Sequence, residues 1–383
     1  MVEQTILVAS SQYEEMDGFF QKSNSKRVLL VCGRSISRLR IDGYFLALEK
    51  RLGVRVTRFS DFLPNPCYTS VVKGIALFKK EECDAIVAVG GGSAMDVAKC
   101  IKLFSNMEMN TNYLQQEIIP NDIAFMAVPT TAGSGSEATR FAVIYHNNEK
   151  QSISHESCRP SIVLLDSSTL DTLPEYQKKA TMMDAFCQAV ESFWSVNSTS
   201  ESKELAKEVI WRVLANKDGY LANDKQGNAN MLIAANLSGK AINITQTTAG
   251  HAMCYKLAGL YGLAHGHAVA LIISKLWPYM TEHMDRCVDP RGVDYLYTVF
   301  TDIAQAMGCT TVDKAIQSYQ TLLESLNFPG FTVENENQID LLTKSVNPVR
   351  LQNHPIALDE DAFRELYRQI IEDYINEGYT HES

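Results

Sequence analysis

The chain has 383 residues, 45% hydrophobic and 21% charged, too many for one ordinary core, which predicts two domains. Its formal net charge of -10 argues against a broad basic face and so against a nucleic-acid-binding role. No run of about 20 apolar residues is available to span a membrane, and the polar opening Met1–Ser11, interrupted by Glu3, is expected not to be a secretory leader.

In chain order, Arg27–Gly33 (RVLLVCG) reads as a buried strand, followed by an amphipathic pattern around Tyr44–Leu52 and a second strand over Val54–Phe59. The loop Leu63–Cys67 (LPNPC) leads into a helical pattern carrying Val71, Val72, Ile75, Ala76 and Phe78. Asp84–Val89 is a third strand, and Ile123–Val128 and Ile162–Leu165 are two more. Strand and helix alternating in this way predict a parallel sheet covered on both faces. Beyond Glu175, strand-like runs give way to a 3.6-residue period over Glu201–Leu214, Ala229–Ile244, Thr247–Ala258 and Asp361–Tyr374. The reading is an α/β domain over 1–175 and an all-helical domain over 176–383, with the tail Gly378–Ser383 frayed. Nine cysteines fall singly, with no paired spacing, and are expected to be reduced thiols in a cytoplasm.

Two loops suggest a ligand edge. Gly90-Gly91-Gly92-Ser93 follows the third strand and opens a helix, where free N–H groups and the positive helix end suit a phosphate. Pro129–Glu137 (PTTAGSGSE) stands after the next strand, at the sheet edge where open α/β folds bind ligands. Together they are best explained by one dinucleotide crevice, although the first departs from the GxGxxG fingerprint.

In the second half, Asp184 and Gln188 stand four apart in a helical pattern and project from one face. His251 lies in another helical pattern, and His265 follows a turn containing Gly and Tyr. A carboxylate and two imidazoles are the minimum donors for a divalent catalytic metal with open positions. Spacing alone leaves a surface aspartate and two ordinary histidines as the alternative.

The segments GGGSAMDVAK, PTTAGSGSEAT and HAMCYKLAGLYGLAHG occur in this order, and with them the chain resembles the iron-containing (group III) alcohol dehydrogenase family over nearly its whole length. The resemblance implies an α/β nucleotide domain similar to that of dehydroquinate synthase, followed by a helical metal domain. It also implies NAD(P)H and Fe²⁺ or Zn²⁺ as cofactors, and a cytoplasmic homo-oligomer, a dimer, acting on a small alcohol or aldehyde. On this basis Gly90, Gly91, Gly92 and Ser93 hold the pyrophosphate, Asp96 lies near the nicotinamide end, and Lys150 reaches the nicotinamide ribose. Thr130, Thr131, Ser136 and Asn65 fall on further cofactor-contacting positions. Ser60 stands where NAD-preferring members carry an aspartate, with Asp61 displaced by one and Arg58 close in sequence, so NAD and NADP both remain open.

The family's metal ligands map to Asp184, Gln188, His251 and His265, with Gln188 in place of a histidine. A carboxamide oxygen is a weaker donor than imidazole for a first-row ion. The implied site therefore has three core ligands, with Gln188 as a weak ligand or water anchor. TRFAVIY, DAFCQAVESFWSVNS, NITQTTAGHAMCYK and HGHAVAL are more particular and similar to the phosphonoacetaldehyde reductase branch. Arg140 and His267 are the residues expected to meet a phosphonate, with Arg350 a third, and the proton donor is His267, Tyr255, a metal-bound water or the ribose hydroxyl. Alternatives are a reductase of another small alcohol, polyol or hydroxyacid, a dehydroquinate synthase-like lyase, or a protein that has lost its metal.

Overall fold

A computed structural model describes residues 4–109, 111–147, 149–332 and 337–376. The tail Gly378–Ser383, expected to fray, lies outside the described residues. The chain divides into two compact units, Met1–Leu173 with Asp218–Gly239, and Pro174–Lys217 with Lys240–Ser383.

The first unit runs β1 (Thr5–Val8), α1 (Glu14–Lys22), β2 (Arg27–Cys32), α2 (Arg40–Leu52), β3 (Arg55–Phe59), α3 (Tyr68–Lys80), β4 (Ala85–Gly90) and α4 (Gly92–Phe104). It continues through β5 (Ala124–Pro129), β6 (Phe141–His146), β7 (Glu149–Ser154) and β8 (Ile162–Leu165). Six strands form one sheet in the order β1-β8-β5-β4-β2-β3, and every pair in it is parallel. Parallel strands need both faces covered, and their sequences show it. Val28, Leu30, Val87 and Val89 join a core with Met16 and Phe19 of α1 and Ile41 and Phe45 of α2. The alternate residues Leu29, Val31, Ile86 and Ala88 point to the opposite face and are as fully buried.

The chain passes from β2 outward to β3, then returns to place β4 on the other side of β2. That reversal is the topological switch point, where the carboxyl ends of the strands part to admit a ligand. β6 and β7 form a separate antiparallel hairpin, tied to the LPNPC loop where the Tyr145 N–H donates to the Pro66 carbonyl at 2.8 Å. Asp218–Gly239 joins this unit through side-chain amides: Asn228 donates to Asp171 at 3.1 Å and Asn236 to Glu137 at 3.3 Å.

The second unit is helical: α5 (Glu175–Trp194), α6 (Ser200–Leu221), α7 (Lys225–Thr245), α8 (Ala249–Tyr261), α9 (His265–Glu282), α10 (Val293–Ala306), α11 (Val312–Ser325), α12 (Asn337–Lys344) and α13 (Glu360–Asn376). The ends of α6 and α7 that face each other in sequence belong to the first unit. α5 is buried on all sides from Met182 to Trp194, although one face of it carries the polar side chains Asp184, Gln188 and Glu191, which therefore need partners inside the unit. Trp194 packs edge-on against Trp277 and Phe300. No helix among the described residues is long and apolar enough to cross a membrane, and none of the nine cysteines forms a disulfide.

Lys99 of α4 fastens the first unit internally. It is fully buried, and its ammonium donates to the Ser136 carbonyl (2.6 Å), Ser136 Oγ (3.0 Å), Thr139 Oγ1 (3.0 Å) and the Phe141 carbonyl (2.6 Å). Removing one partner of a buried polar cluster leaves the others uncompensated. Lys99→Met is therefore expected to lower the unfolding free energy by about 3–5 kcal/mol, read from the urea midpoint at unchanged slope.

Candidate metal centre and dinucleotide edge

Within the first unit, the glycine loop forms where β4 ends at Gly90 and α4 begins at Gly92. Glycine is required by close approach: a Cβ on Gly90 would stand 2.5 Å from that of Ala94, and one on Gly91 would stand 3.1 Å from the Thr131 side chain. The second loop joins it directly, with the Thr130 N–H donating to the Gly90 carbonyl at 3.0 Å. Ser136 Oγ donates to Asp96 Oδ1 at 3.0 Å. Gly90–Ser93, Thr130, Thr131, Ser136 and Asp96 thus come together at the carboxyl ends of β4 and β5.

Ser60 follows β3 at the same edge, 3.7 Å from the Cys32 thiol. Asp61 is exposed and paired with Lys73 at 2.7 Å, and Arg58 is paired with Asp42 at 2.7 Å. Lys150 is opposite Tyr145 in the hairpin, and Tyr145 bridges Cys67, two residues past Asn65.

The second unit holds the other cluster. Asp184, His251 and His265 offer three ligand atoms that all lie within 4.8 Å of one another. Asp184 Oδ1 is 3.3 Å from His251 Nε2 and 3.9 Å from His265 Nε2. A tetrahedral ion bound at about 2.1 Å keeps its donors roughly 3.4 Å apart, so one carboxylate oxygen and two imidazole nitrogens fit a divalent metal. Asp184 and His251 are buried, whereas the His265 side chain is 40% exposed and marks the open side.

Helix packing makes this convergence possible. Gly266, second in α9, lies so close to α5 that a Cβ there would stand 1.9 Å from the Ala180 carbonyl oxygen and 2.8 Å from Asp184 Cβ. Gly250, beside His251 on α8, leaves room for Glu191, whose carboxylate would be 3.0 Å from an added Cβ.

Glu191 was not among the sequence candidates, yet it is completely buried under the cluster. One oxygen accepts from Thr248 N–H (3.0 Å), Thr248 Oγ1 (2.8 Å) and His251 N–H (3.2 Å); the other accepts from His251 Nδ1. The signal was its place seven residues after Asp184, on the same helical face as Gln188. His265 Nδ1 is held by Cys254 Sγ at 3.5 Å, and the thiol donates to the His251 carbonyl. Burial opposes charge on Asp184, Glu191 and His251, but their mutual attraction wins. Both carboxyls are held below their ordinary range, and the imidazole is raised to about 9.

Gln188 Nε2 donates to Asp184 Oδ1 at 3.4 Å. Tyr255 stacks on His265 with ring centroids 5.4 Å apart, and the Arg350 guanidinium lies 5.1 Å from the Tyr255 ring, donating to its hydroxyl at 3.3 Å. His267 is not with them: fully buried, it stacks on Phe328 at 4.1 Å and bonds the Tyr176 hydroxyl at 3.2 Å. Burial lowers its pKa to about 4, so it is neutral near pH 7 and presents no cation to an anion. Arg140 belongs to the first unit, 3.7 Å from Glu156 and over the Phe141 ring.

A glycine-rich phosphate edge and a carboxylate–imidazole cluster in one chain define a metal-assisted, dinucleotide-linked enzyme. Residues 4–167 match the model for iron-containing alcohol dehydrogenase, and residues 178–371 match the C-terminal model of the Fe-containing alcohol dehydrogenase family. The chain is 31% identical to 1,3-propanediol dehydrogenase of Klebsiella pneumoniae over 329 residues, 81% of each chain. It is 29% identical to phosphonoacetaldehyde reductase of Streptomyces viridochromogenes over 297 residues, 74% of this chain and 75% of that one. The sulfoacetaldehyde reductase from Bifidobacterium kashiwanohense, solved in complex with NAD⁺, superposes with a TM-score of 0.82 at 23% identity, covering 97% of both chains. The chain belongs to the iron-containing alcohol dehydrogenase family. It is an oxidoreductase, and its cofactors are those of the family, NAD(H) and iron or another divalent metal.

Two outcomes follow from the geometry. Gly266→Ala should force α9 from α5, costing about 1–3 kcal/mol of stability and most of the bound metal, checked by thermal melting and elemental analysis. His267, depressed from 6.5 to about 4, binds its proton more readily unfolded. Its neutral burial therefore costs nothing above pH 6.5, and stability falls as pH drops from 6.5 toward 4, by about 3 kcal/mol in all. His267→Phe should flatten that acid limb in urea titrations run across this range.

Proposed function

We propose that the chain is a metal-dependent, NAD(P)H-linked reductase of a small aldehyde bearing an anionic group, phosphonoacetaldehyde foremost, giving 2-hydroxyethylphosphonate. The observation that carries the reading is the row Arg350–Tyr255–His265, a guanidinium one aromatic ring away from the exposed metal ligand. Forked donors suit tetrahedral oxyanions, and a chain of net charge -10 needs a local cation to receive one. The names of the Streptomyces and Bifidobacterium relatives, reductases of phosphonoacetaldehyde and sulfoacetaldehyde, support the same class.

A divalent ion at the cluster supplies Lewis acidity to the aldehyde oxygen, and the reduced nicotinamide supplies the hydride. The chain's own residues do the rest. Asp184, His251 and His265 hold the ion, Gln188 orients Asp184 through its amide, and Arg350 fixes the anionic end of the substrate. Burial and the nearby Cys254 thiol outweigh the Arg350 guanidinium and hold the Tyr255 hydroxyl protonated beside His265, so that it can orient the substrate and hold a proton near the reacting oxygen. Gly90–Ser93, Thr130, Thr131, Ser136, Asp96 and Lys150 bind the dinucleotide, with Ser60 in place of a carboxylate permitting NADPH as well as NADH. Cytoplasmic residence and a homodimer complete the reading.

Its 31% identity to a 1,3-propanediol dehydrogenase favours a second reading, an uncharged small alcohol as substrate. Steady-state rates with phosphonoacetaldehyde, sulfoacetaldehyde, butanal and 1,3-propanediol, each with both nicotinamides after Fe²⁺ or Zn²⁺ loading, separate the two. The anionic aldehydes should lead in kcat/KM, and a lead for butanal or propanediol sinks the proposal. Arg350→Met should cost the anionic aldehyde roughly 10–100-fold in kcat/KM while leaving butanal unchanged.

A further inference from the structure

We infer that Glu191 is a positioning residue with two separate tasks, and that one of them selects which nitrogen of His251 is offered to the metal. The inference rests on the metal centre and not on the substrate. Glu191 is completely buried, and every polar contact given for its side chain leads to Thr248 or His251, at the start of α8. Oε1 gathers two backbone N–H groups and the Thr248 hydroxyl. These are donors that the first turn of a helix leaves without intrahelical partners, and Thr248 itself is in turn fixed by Trp194 Nε1 at 2.9 Å. Oε2 is left for the imidazole alone.

An ionised carboxylate only accepts hydrogen bonds, so Nδ1 of His251 must carry a proton. With Nδ1 protonated, the neutral ring has its lone pair on Nε2, the nitrogen that stands 3.3 Å from Asp184 Oδ1 in the three-donor cluster. The two tasks require two acceptors, which only a carboxylate provides. A carboxamide at this place has one oxygen. If that oxygen serves the start of α8, its NH₂ faces Nδ1, which must then accept, and the proton moves to Nε2, where it blocks coordination. Gly250 favours the arrangement, because a Cβ beside His251 would stand 2.5 Å from Ile273 Cδ1 and press on the Glu191 carboxylate at 3.0 Å.

The test compares the full-length wild type with Glu191→Gln, using Zn²⁺ competed against a chromophoric chelator, thermal melting, and NMR of histidine-labelled protein loaded with Zn²⁺. The expected result is a variant that melts cooperatively but holds Zn²⁺ about 10- to 100-fold more weakly. It should also lose the strongly deshielded His251 ring N–H resonance that the wild type shows, assigned by its absence in His251→Ala. Zn²⁺ affinity equal to wild type in folded Glu191→Gln overturns the inference, whatever happens to its melting temperature. Should that variant not fold, the wild type alone decides. In the Zn²⁺-loaded protein, a proton on Nδ1 of His251 supports the inference and a proton on Nε2 overturns it. Neither readout depends on which aldehyde is reduced, so failure of the substrate proposal leaves this result intact.

Discussion

The start of α9 lies against the backbone of α5 because residue 266 has no side chain, and the metal centre depends on that approach. A methyl group there would meet the Ala180 carbonyl at 1.9 Å, far inside van der Waals contact. Interiors are close-packed, so the conflict could be relieved only by moving a whole helix. His265, the neighbouring residue and first in α9, would move with it. Asp184 sits on α5 under the same contact, and His251 comes from α8, which packs along α9. Three donors from three helices therefore meet through steric fit, before any electrostatic attraction is considered.

Electrostatics then makes the cluster costly without its partners. Two buried carboxylates within one helical unit are unfavourable unless each is paired, and removing one partner of such a group costs more than the group contributes. Here the imidazole of His251 stands between them, with Asp184 on Nε2 and Glu191 on Nδ1. A divalent ion held by Nε2 would take the place of a proton there while Glu191 keeps its contact with Nδ1, so metal binding and the stability of this unit would be linked. His265 is anchored differently, by the soft Cys254 sulfur, and its exposure makes it the adjustable member.

Much of this was legible in the sequence because the relevant signals are short-range. VLLVC and AIVAVG are apolar without interruption, as a strand buried on both faces requires, and β2 and β4 each have a neighbouring strand on either side. The glycine loop was readable from strand, glycines and helix in succession. β1 was missed because TILV is a short edge strand with only its middle half-buried. The β6–β7 hairpin was missed because EKQSIS is too polar to show an apolar strand pattern. The grouping of Asp218–Gly239 with the sheet rests on contacts far apart in sequence, such as Asn236 with Glu137, which no periodicity encodes. At the metal centre, Asp184, His251 and His265 were found through motif resemblance. His267 seemed to belong with them from its place in HGH, but residues two apart on a helix point about 200° apart, so His265 faces the cluster and His267 the interior. Glu191 shows the reverse. Seven residues from Asp184 it returns to nearly the same face, and what hid it is that spacing on one helix does not separate a carboxylate buried beneath the cluster from one in solvent.

The charge of the completed centre bears on what it can bind. A divalent cation held by Asp184 and two neutral imidazoles, one leaning on ionised Glu191, has no net charge, and Gln188 is neutral as well. Such a centre polarises a carbonyl at contact distance but exerts little long-range pull on an anion, and the chain around it carries a net charge of -10. Attraction for a charged substrate must then come from a cation near the rim and must be strongest at short range. Arg350 meets both requirements, because its guanidinium is braced on Tyr255, which is itself stacked on the one exposed ligand. An arginine held this way gives up little rotamer freedom when it closes on an oxyanion, so more of each hydrogen bond appears as affinity. In the proposed reading, Lewis acidity and anion recognition therefore fall to different groups, and a change at Arg350 would alter the anionic end accepted while the three donors stay as they are.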